Sequence, residues 1–472
     1  MSKVKIGFVP ASRGVFSQDL AAQSRAVTIE SLKKAGVAPV VPDEKLTSRG
    51  LVQSFEDAAK TSALFRSEGV AGVVIGAVNF GNELPAAVTA VEGAPGAPIL
   101  LFGCTEEGEL TYNGARRDSL CGTLSIATAL RQRLAKYSFP QVANCPPDDP
   151  ALIAEFKKFA SVCKTVSGVR GSVYGQIGPR PAEFETCAFD ELSLLRKFGI
   201  RTVPIPLSEV FGLATSLDKP EAVAETVASL KKLYDVEGIS QAILERLARL
   251  DIVLCDLIDT HGFAAMALQC WNSIQLDYGV SACSIMARIN QLKNIPVACE
   301  VDIIGALSMQ MLALASGNTP ILMDWNNRHF KEKDVFSAWH CGVIPAGICE
   351  GACKLRPNKI QADIQGSAEK VTGVLDGTLK RGPVTMARVT ETPEGGWKLL
   401  IVEGEAEPHA GTPPGGNAWV RVSDFDKLYR ALLRDFPHHG ALVHGHVGAI
   451  LADAAHFLGL EVVAPLPVKG LE

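Results

Sequence analysis

With 472 residues, 47% hydrophobic, 21% charged and a formal net charge of −5, the chain has a globular composition and is too long for one hydrophobic core. It has no long basic run and no interleaving of arginine with aromatic residues, which argues against nucleic acid as a partner, and no unbroken apolar stretch of about 18 residues that would span a membrane. The opening MSKVKIGFVPAS turns straight into a strand without an apolar leader, so a cytoplasmic protein is expected.

In chain order, VKIGFVP (4–10), VAPVVP (37–42), AGVVIGA (71–77) and APILLFG (97–103) read as buried strands, and helical periodicity fills 17–35, 52–67 and 118–135. That alternation predicts a doubly wound α/β domain over 1–165. The segment SFPQVANCPPDDP (138–150) marks a connection. A second α/β run, expected over 166–315, starts at GSVYGQIG (171–178) and continues through RTVPIP, two charged helices at 219–250, FAAMALQ (263–269) and IPVACE (295–300). The remainder, 316–472, changes texture: GPVTMARVTE and WKLLIVEGEAE alternate in period two around TPEGG, predicting a hairpin. The expected fold is therefore two doubly wound α/β domains followed by a smaller β-rich, barrel-like C-terminal domain with a closing helix at 424–435.

IPVACE, the helix-length run IIGALSMQMLALAS and TPILMD read as a βαβ unit. Parallel neighbouring strands would bring Glu300 and Asp324 out together at the carboxyl edge, where one divalent cation could take both carboxylates. The nine histidines all lie between 261 and 456, and a cation holding two carboxylates often recruits an imidazole. His446, near a helix start and followed by small residues, is a candidate; His444 and His439 are rivals that spacing does not separate. The twelve cysteines are scattered, and Cys104, Cys255, Cys270 and Cys299 sit inside apolar runs, so they read as reduced and packed as small hydrophobes. Cys349 and Cys353 lack the second pair a zinc site needs.

The segments ALQCW (267–271), IPVACEVDIIGALSMQML (295–312), ILMDWNN (321–327), WHCG (339–342) and HGHVGA (444–449) resemble the L-fucose isomerase/L-arabinose isomerase family, in particular its shorter fucose-isomerase-like members. The resemblance implies three domains, a manganese ion held by Glu300, Asp324 and His446, and sugar contacts from Gln269 and Trp419. Trp271, next to Gln269, reads as a sugar contact or as packing, and His340, in WHCG, as a sugar contact or a turn cap. Arg13 falls on a family arginine that reaches sugar hydroxyls from a neighbouring subunit, which implies a homo-oligomer, trimer or hexamer, with a shared active site. Carboxylate–carboxylate–imidazole ligation suits Mn2+ and also admits Mg2+, Co2+ or Fe2+.

Such a site fits aldose–ketose isomerisation. The C2 proton of an aldose is weakly acidic, and a chelated cation stabilises the charge that develops on oxygen as a cis-enediol forms. Glu300 and Asp324 would then act as the acid/base pair that moves protons between carbon and oxygen. The cluster Arg116-Arg117-Asp118 is read first as a solvated helix start, and as a second choice as a cation pair facing a sugar with an anionic C6 group, such as a sulfonate. A non-catalytic sugar-binding protein is the competing class. No glycine-rich phosphate loop is present, so no nucleotide cofactor is expected.

Overall fold

The computed structural model describes residues 3–365, 367–409, 411 and 413–471, in two compact units: residues 1–167 with 456–458, and residues 168–455 with 459–472. No helix among them is long and apolar enough to cross a membrane.

In the first unit the strands are β1 (Lys5–Ala11), β2 (Ala38–Val40), β3 (Gly72–Ala77) and β4 (Ile99–Gly103), all parallel in the order β2-β1-β3-β4. β3 and β4 are buried along their whole length and β1 after its first residue, as a sheet covered on both faces requires. The helices Gln18–Lys34, Phe55–Glu68 and Ser119–Gln132 fall where periodicity put them; Glu83–Gly93, rich in alanine, is additional. Ser54 and Asp57 form a reciprocal capping box that fixes the start of Phe55–Glu68.

In the second unit β5 (Val173–Ile177), β6 (Arg201–Ile205), β7 (Ala265–Leu268) and β8 (Val297–Cys299) form a second parallel sheet in the order β6-β5-β7-β8. The later strands are β9 (Ile321–Arg328), β10 (Val335–His340), β11 (Lys354–Pro357), β12 (Thr372–Thr378), β13 (Gly382–Glu391), β14 (Trp397–Glu407), β15 (Gly416–Arg421), β16 (His439–His444) and β17 (Glu461–Val463). Among the described residues β9-β10-β15-β14-β13-β16 closes back on β9, each pair antiparallel, giving a six-stranded barrel; β11, β12 and β17 extend it. The expected hairpin is β13–β14, paired from Gly382↔Ala406 to Glu391↔Trp397, and the closing helix is Phe425–Asp435.

Two expectations are corrected. β9 does not lie beside β8 as the second strand of a βαβ unit; it pairs with β10 and β16 inside the barrel. Its first residues are buried but its polar tail from Asp324 to Arg328 grows steadily more exposed, a pattern suited to an antiparallel strand with one solvated face. The cysteines are also not all reduced: Cys349 and Cys353 form a disulfide, their Cα atoms 6.5 Å apart and both side chains buried, while the other described cysteines are free.

Candidate metal centre and active site

The short strand β8 delivers Glu300 to the carboxyl edge of its sheet, where Glu300 and Val301 both take positive φ before the helix Ile303–Ser316 begins. Asp302 caps that helix, accepting from Gly305 N at 2.7 Å. The helix returns the chain to β9, and strand register then sets Asp324 opposite His439 of β16. His439 therefore meets both acids: its Nε2 lies 3.2 Å from Glu300 Oε2 and 3.5 Å from Asp324 Oδ1.

The other side of the His439 ring is tied down. Nδ1 lies 2.8 Å from Asp302 Oδ2, and Asp302 in turn accepts two hydrogen bonds from the Arg388 guanidinium on β13, one of them 3.1 Å. Burial opposes charge on Asp302, but Arg388 and His439 hold its carboxyl far below the usual carboxylate range. An ionised Asp302 accepts a hydrogen bond from Nδ1–H, so that when His439 is neutral its lone pair lies on Nε2. Nε2, Glu300 Oε2 and Asp324 Oδ1 are all buried without a hydrogen-bond partner. Facing one another, they are satisfied either by a proton on Nε2 or by a divalent cation. Burial opposes charge on His439, but Asp302, Cys187 and Glu300 beside it raise its pKa well above the ordinary value. Two carboxylates with one imidazole are also a donor set for Mn2+ or a similar ion. The residues present fit such a metal.

The loop after β5 closes over this centre. Phe184 packs against Trp271 and His438, with ring centroids 6.0 Å and 6.5 Å apart. Cys187, Glu300 and His439 offer ligand atoms within 4.8 Å of one another. Gln269, which follows β7 as Glu300 follows β8, donates from Nε2 to Trp271 O at 2.9 Å and keeps a buried, unpartnered Oε1. The backbone of Gly178 sits so close that a Cβ there would lie 2.6 Å from Gln269 Oε1. His340 is buried 5.6 Å from His439 between ring centroids; its Nδ1 accepts from Cys341 N and its Nε2 has no partner.

Thus Glu300, Asp324, Gln269, Trp271 and His340 come together with His439. The structure does not bring His446 among them. It lies beyond the far end of β16, with Nε2 3.3 Å from Gly404 O and 3.8 Å from Glu405 Oε1. Spacing could not separate the three histidines; register does, because seven residues of strand-like chain span roughly 23 Å. His444 likewise turns to Lys380 O, at 2.8 Å. Trp419 stands opposite Ser337 on β15 and packs with His329 and His409, apart from the acid pair.

Arg13, Arg116 and Arg117 belong to the first unit. The Arg13 guanidinium stacks 4.4 Å over Phe80 and donates to Asn82 Oδ1. Arg116 pairs with Asp118, and Arg117 is 1% exposed, bound to Glu107 and Ser24, so it is a core residue rather than part of a solvated helix start. Sequence reading missed Asp302, Arg388, His438, Cys187 and Phe184. Arg388 did leave a signal: a lone cation in the apolar run VTMARV needs a buried partner.

Residues 7–170 match the N-terminal domain model of fucose/sulfoquinovose isomerase, and residues 339–464 match the C-terminal domain model of L-fucose isomerase. A sulfoquinovose isomerase of Priestia megaterium is 25% identical over 98% of this chain and 99% of its own length. One of Alkalicoccus urumqiensis is 26% identical over 97% of this chain and 98% of its own. One of Clostridium sp. (strain MSTE9) is 23% identical over 86% of each.

Proposed function

The chain belongs to the fucose-isomerase-like family of aldose–ketose isomerases, and on that premise we propose that it converts a C6-sulfonated aldose, sulfoquinovose or a close analogue, to the ketose. The observation that carries the chemistry is the convergence of Glu300 Oε2, Asp324 Oδ1 and His439 Nε2, buried and without partners. In this reading those three side chains hold a divalent cation, Mn2+ by preference, and His439 takes the place that resemblance gave to His446. The cation, when bound, stabilises as a Lewis acid the negative charge that develops on the sugar oxygens.

Glu300 and Asp324 act as the acid/base pair. One carboxylate takes the C2 proton and returns it at C1, and the other carries the proton exchanged between O1 and O2 through a cis-enediol. Asp302 fixes the tautomer of His439, and Gln269 orients a hydroxyl through its unpartnered Oε1. The loop bearing Phe184 and the ring of Trp271 keep bulk water from the enediol. Replacing Glu300 with Gln removes the proton-transferring group, and turnover should fall by at least about 10³-fold; retained activity in that variant would overturn the assignment.

For the sulfonate, the relatives' names are supported by a cation in the loop that closes on the centre. Arg180 donates from one guanidinium nitrogen to the carbonyls of Pro181 and Ala182, at 3.1 Å and 3.0 Å, and pairs with no carboxylate among the described residues. We assign it to the C6 anion. Arg180→Met should raise KM for the sulfonated aldose by about 10–100-fold while leaving any turnover of glucose unchanged. Equal losses on both sugars would mean that Arg180 supports the loop instead. Arg13, in the same proposal, reaches the site of a neighbouring subunit in a homo-oligomer. A cytoplasmic setting fits the many free cysteines.

A further inference from the structure

Four cysteines of the second unit converge behind the acid–histidine centre. Cys270 follows β7, Cys283 opens the helix Cys283–Lys293, Cys299 ends β8 and Cys341 follows β10. All are buried, at 2%, 2%, 0% and 9% exposure. The sulfurs of Cys283, Cys299 and Cys341 lie within 4.8 Å of one another, with Cys283 and Cys341 3.9 Å apart, and Cys270 Sγ lies 3.0 Å from Cys299 Sγ.

A free core cysteine normally packs its sulfur against hydrocarbon. Here the sulfurs of three separate segments face one another instead, and a fourth, on Cys270, lies against that of Cys299. Zn–S bonds of about 2.3 Å in a tetrahedral site place neighbouring sulfurs about 3.8 Å apart. The Cys283–Cys341 separation already matches that edge. Cys270 lies beside Cys299 and outside the 4.8 Å group of the other three; to become the fourth ligand it would open from Cys299 by less than about 1 Å and turn toward Cys283 and Cys341. Cys283 is also the first residue of an eleven-residue helix with no acid in its first turn, where the positive end of the dipole favours a thiolate.

We propose that Cys270, Cys283, Cys299 and Cys341 form a thiolate site for Zn2+, separate from the acid–histidine centre. Each thiol gives its proton to solvent as its sulfur coordinates. The two donor sets sort their ions by softness: four sulfurs take zinc, while two carboxylates and an imidazole take Mn2+. The zinc would tie together the ends of β7, β8 and β10, which carry Gln269, Trp271, Glu300 and His340. It is a structural clamp under the catalytic edge and does not depend on which sugar is turned over.

The test uses the full chain supplied with Zn2+ or Co2+, then treated with a chelator that strips the acid–histidine centre. About one zinc per chain should remain. Co2+ in its place should give intense thiolate-to-cobalt charge-transfer absorption. That band should persist in Glu300→Gln and vanish in the Cys283→Ser/Cys341→Ser double variant. Wild-type protein that takes up Co2+ without a sulfur charge-transfer band would overturn the proposal whether or not the double variant folds. So would a band unchanged in that variant, or a Cys270–Cys299 disulfide recovered by mass spectrometry in place of the ion.

Discussion

His439 and His446 are chemically equivalent in the sequence and stand on one short segment, yet the structure gives them opposite surroundings. His439 is 1% exposed, with one ring nitrogen held by Asp302 and the other beside two acids; His446 lies past the strand end next to Glu405. His439→Ala should weaken Mn2+ binding by at least about 100-fold, on the scale of losing a whole ligand rather than an outer partner, and activity should fall with it. His446→Ala should leave metal affinity and kcat within about twofold, as expected of a side chain outside the site. Calorimetric Mn2+ titration with matched kinetics checks both, and the reverse ranking would restore the ligand set drawn from resemblance. That Glu300 and Asp324 approach one another was legible in the sequence because each ends an apolar run. That His439 meets them was not, because its placement depends on which residue of β16 stands opposite Asp324, a long-range register that no local pattern encodes.

At the scale of elements, most strands and helices followed from periodicity, and the misplacement of β9 is instructive. ILMD alone suits a buried parallel strand; only the polar WNNR that continues it, in the same strand, argues for an antiparallel barrel position. Helix pairs in the second unit carry their own electrostatics. Asp251, on the helix Gln241–His261, is 2% exposed and lies 2.5 Å from Arg288 of the helix Cys283–Lys293. Burial pushes its carboxyl up to about 6 although Arg288 opposes the shift. Raised in the folded state from its ordinary value of 3.8, this acid binds more protons folded than unfolded between those pH values, so its contribution to stability falls as pH rises through that window. The stability of wild type relative to Asp251→Asn should therefore fall by about 2 kcal/mol from pH 4 to pH 6. Chemical denaturation at both pH values measures it, and a flat difference would contradict the shift.

The whole molecule joins two parallel-sheet α/β folds to a closed barrel, and the proposed centre draws its groups from the second sheet and the barrel together. Barrel closure was not legible in the sequence beyond a β-rich texture, since it rests on β16 returning to β9 and on β14 pairing with β15. If Arg13 serves the site of a neighbouring subunit, subunits carrying Arg13→Ala and subunits carrying Glu300→Gln, each nearly inactive alone, should regain activity when co-expressed, because mixed oligomers then contain sites with both native residues. No recovery in isolated mixed oligomers would confine Arg13 to its own subunit or to a structural role.

Proton NMR in D2O with sulfoquinovose, Mn2+ and a chelator control tests the central claim most directly. The account predicts formation of the 2-ketose, with deuterium appearing at the exchanging carbons, in wild type with Mn2+; both should vanish with chelator and in Glu300→Gln. Metal-dependent binding of the sugar with neither ketose nor exchange would contradict it, and Glu300 and Asp324 would then hold a ligand rather than transfer its protons.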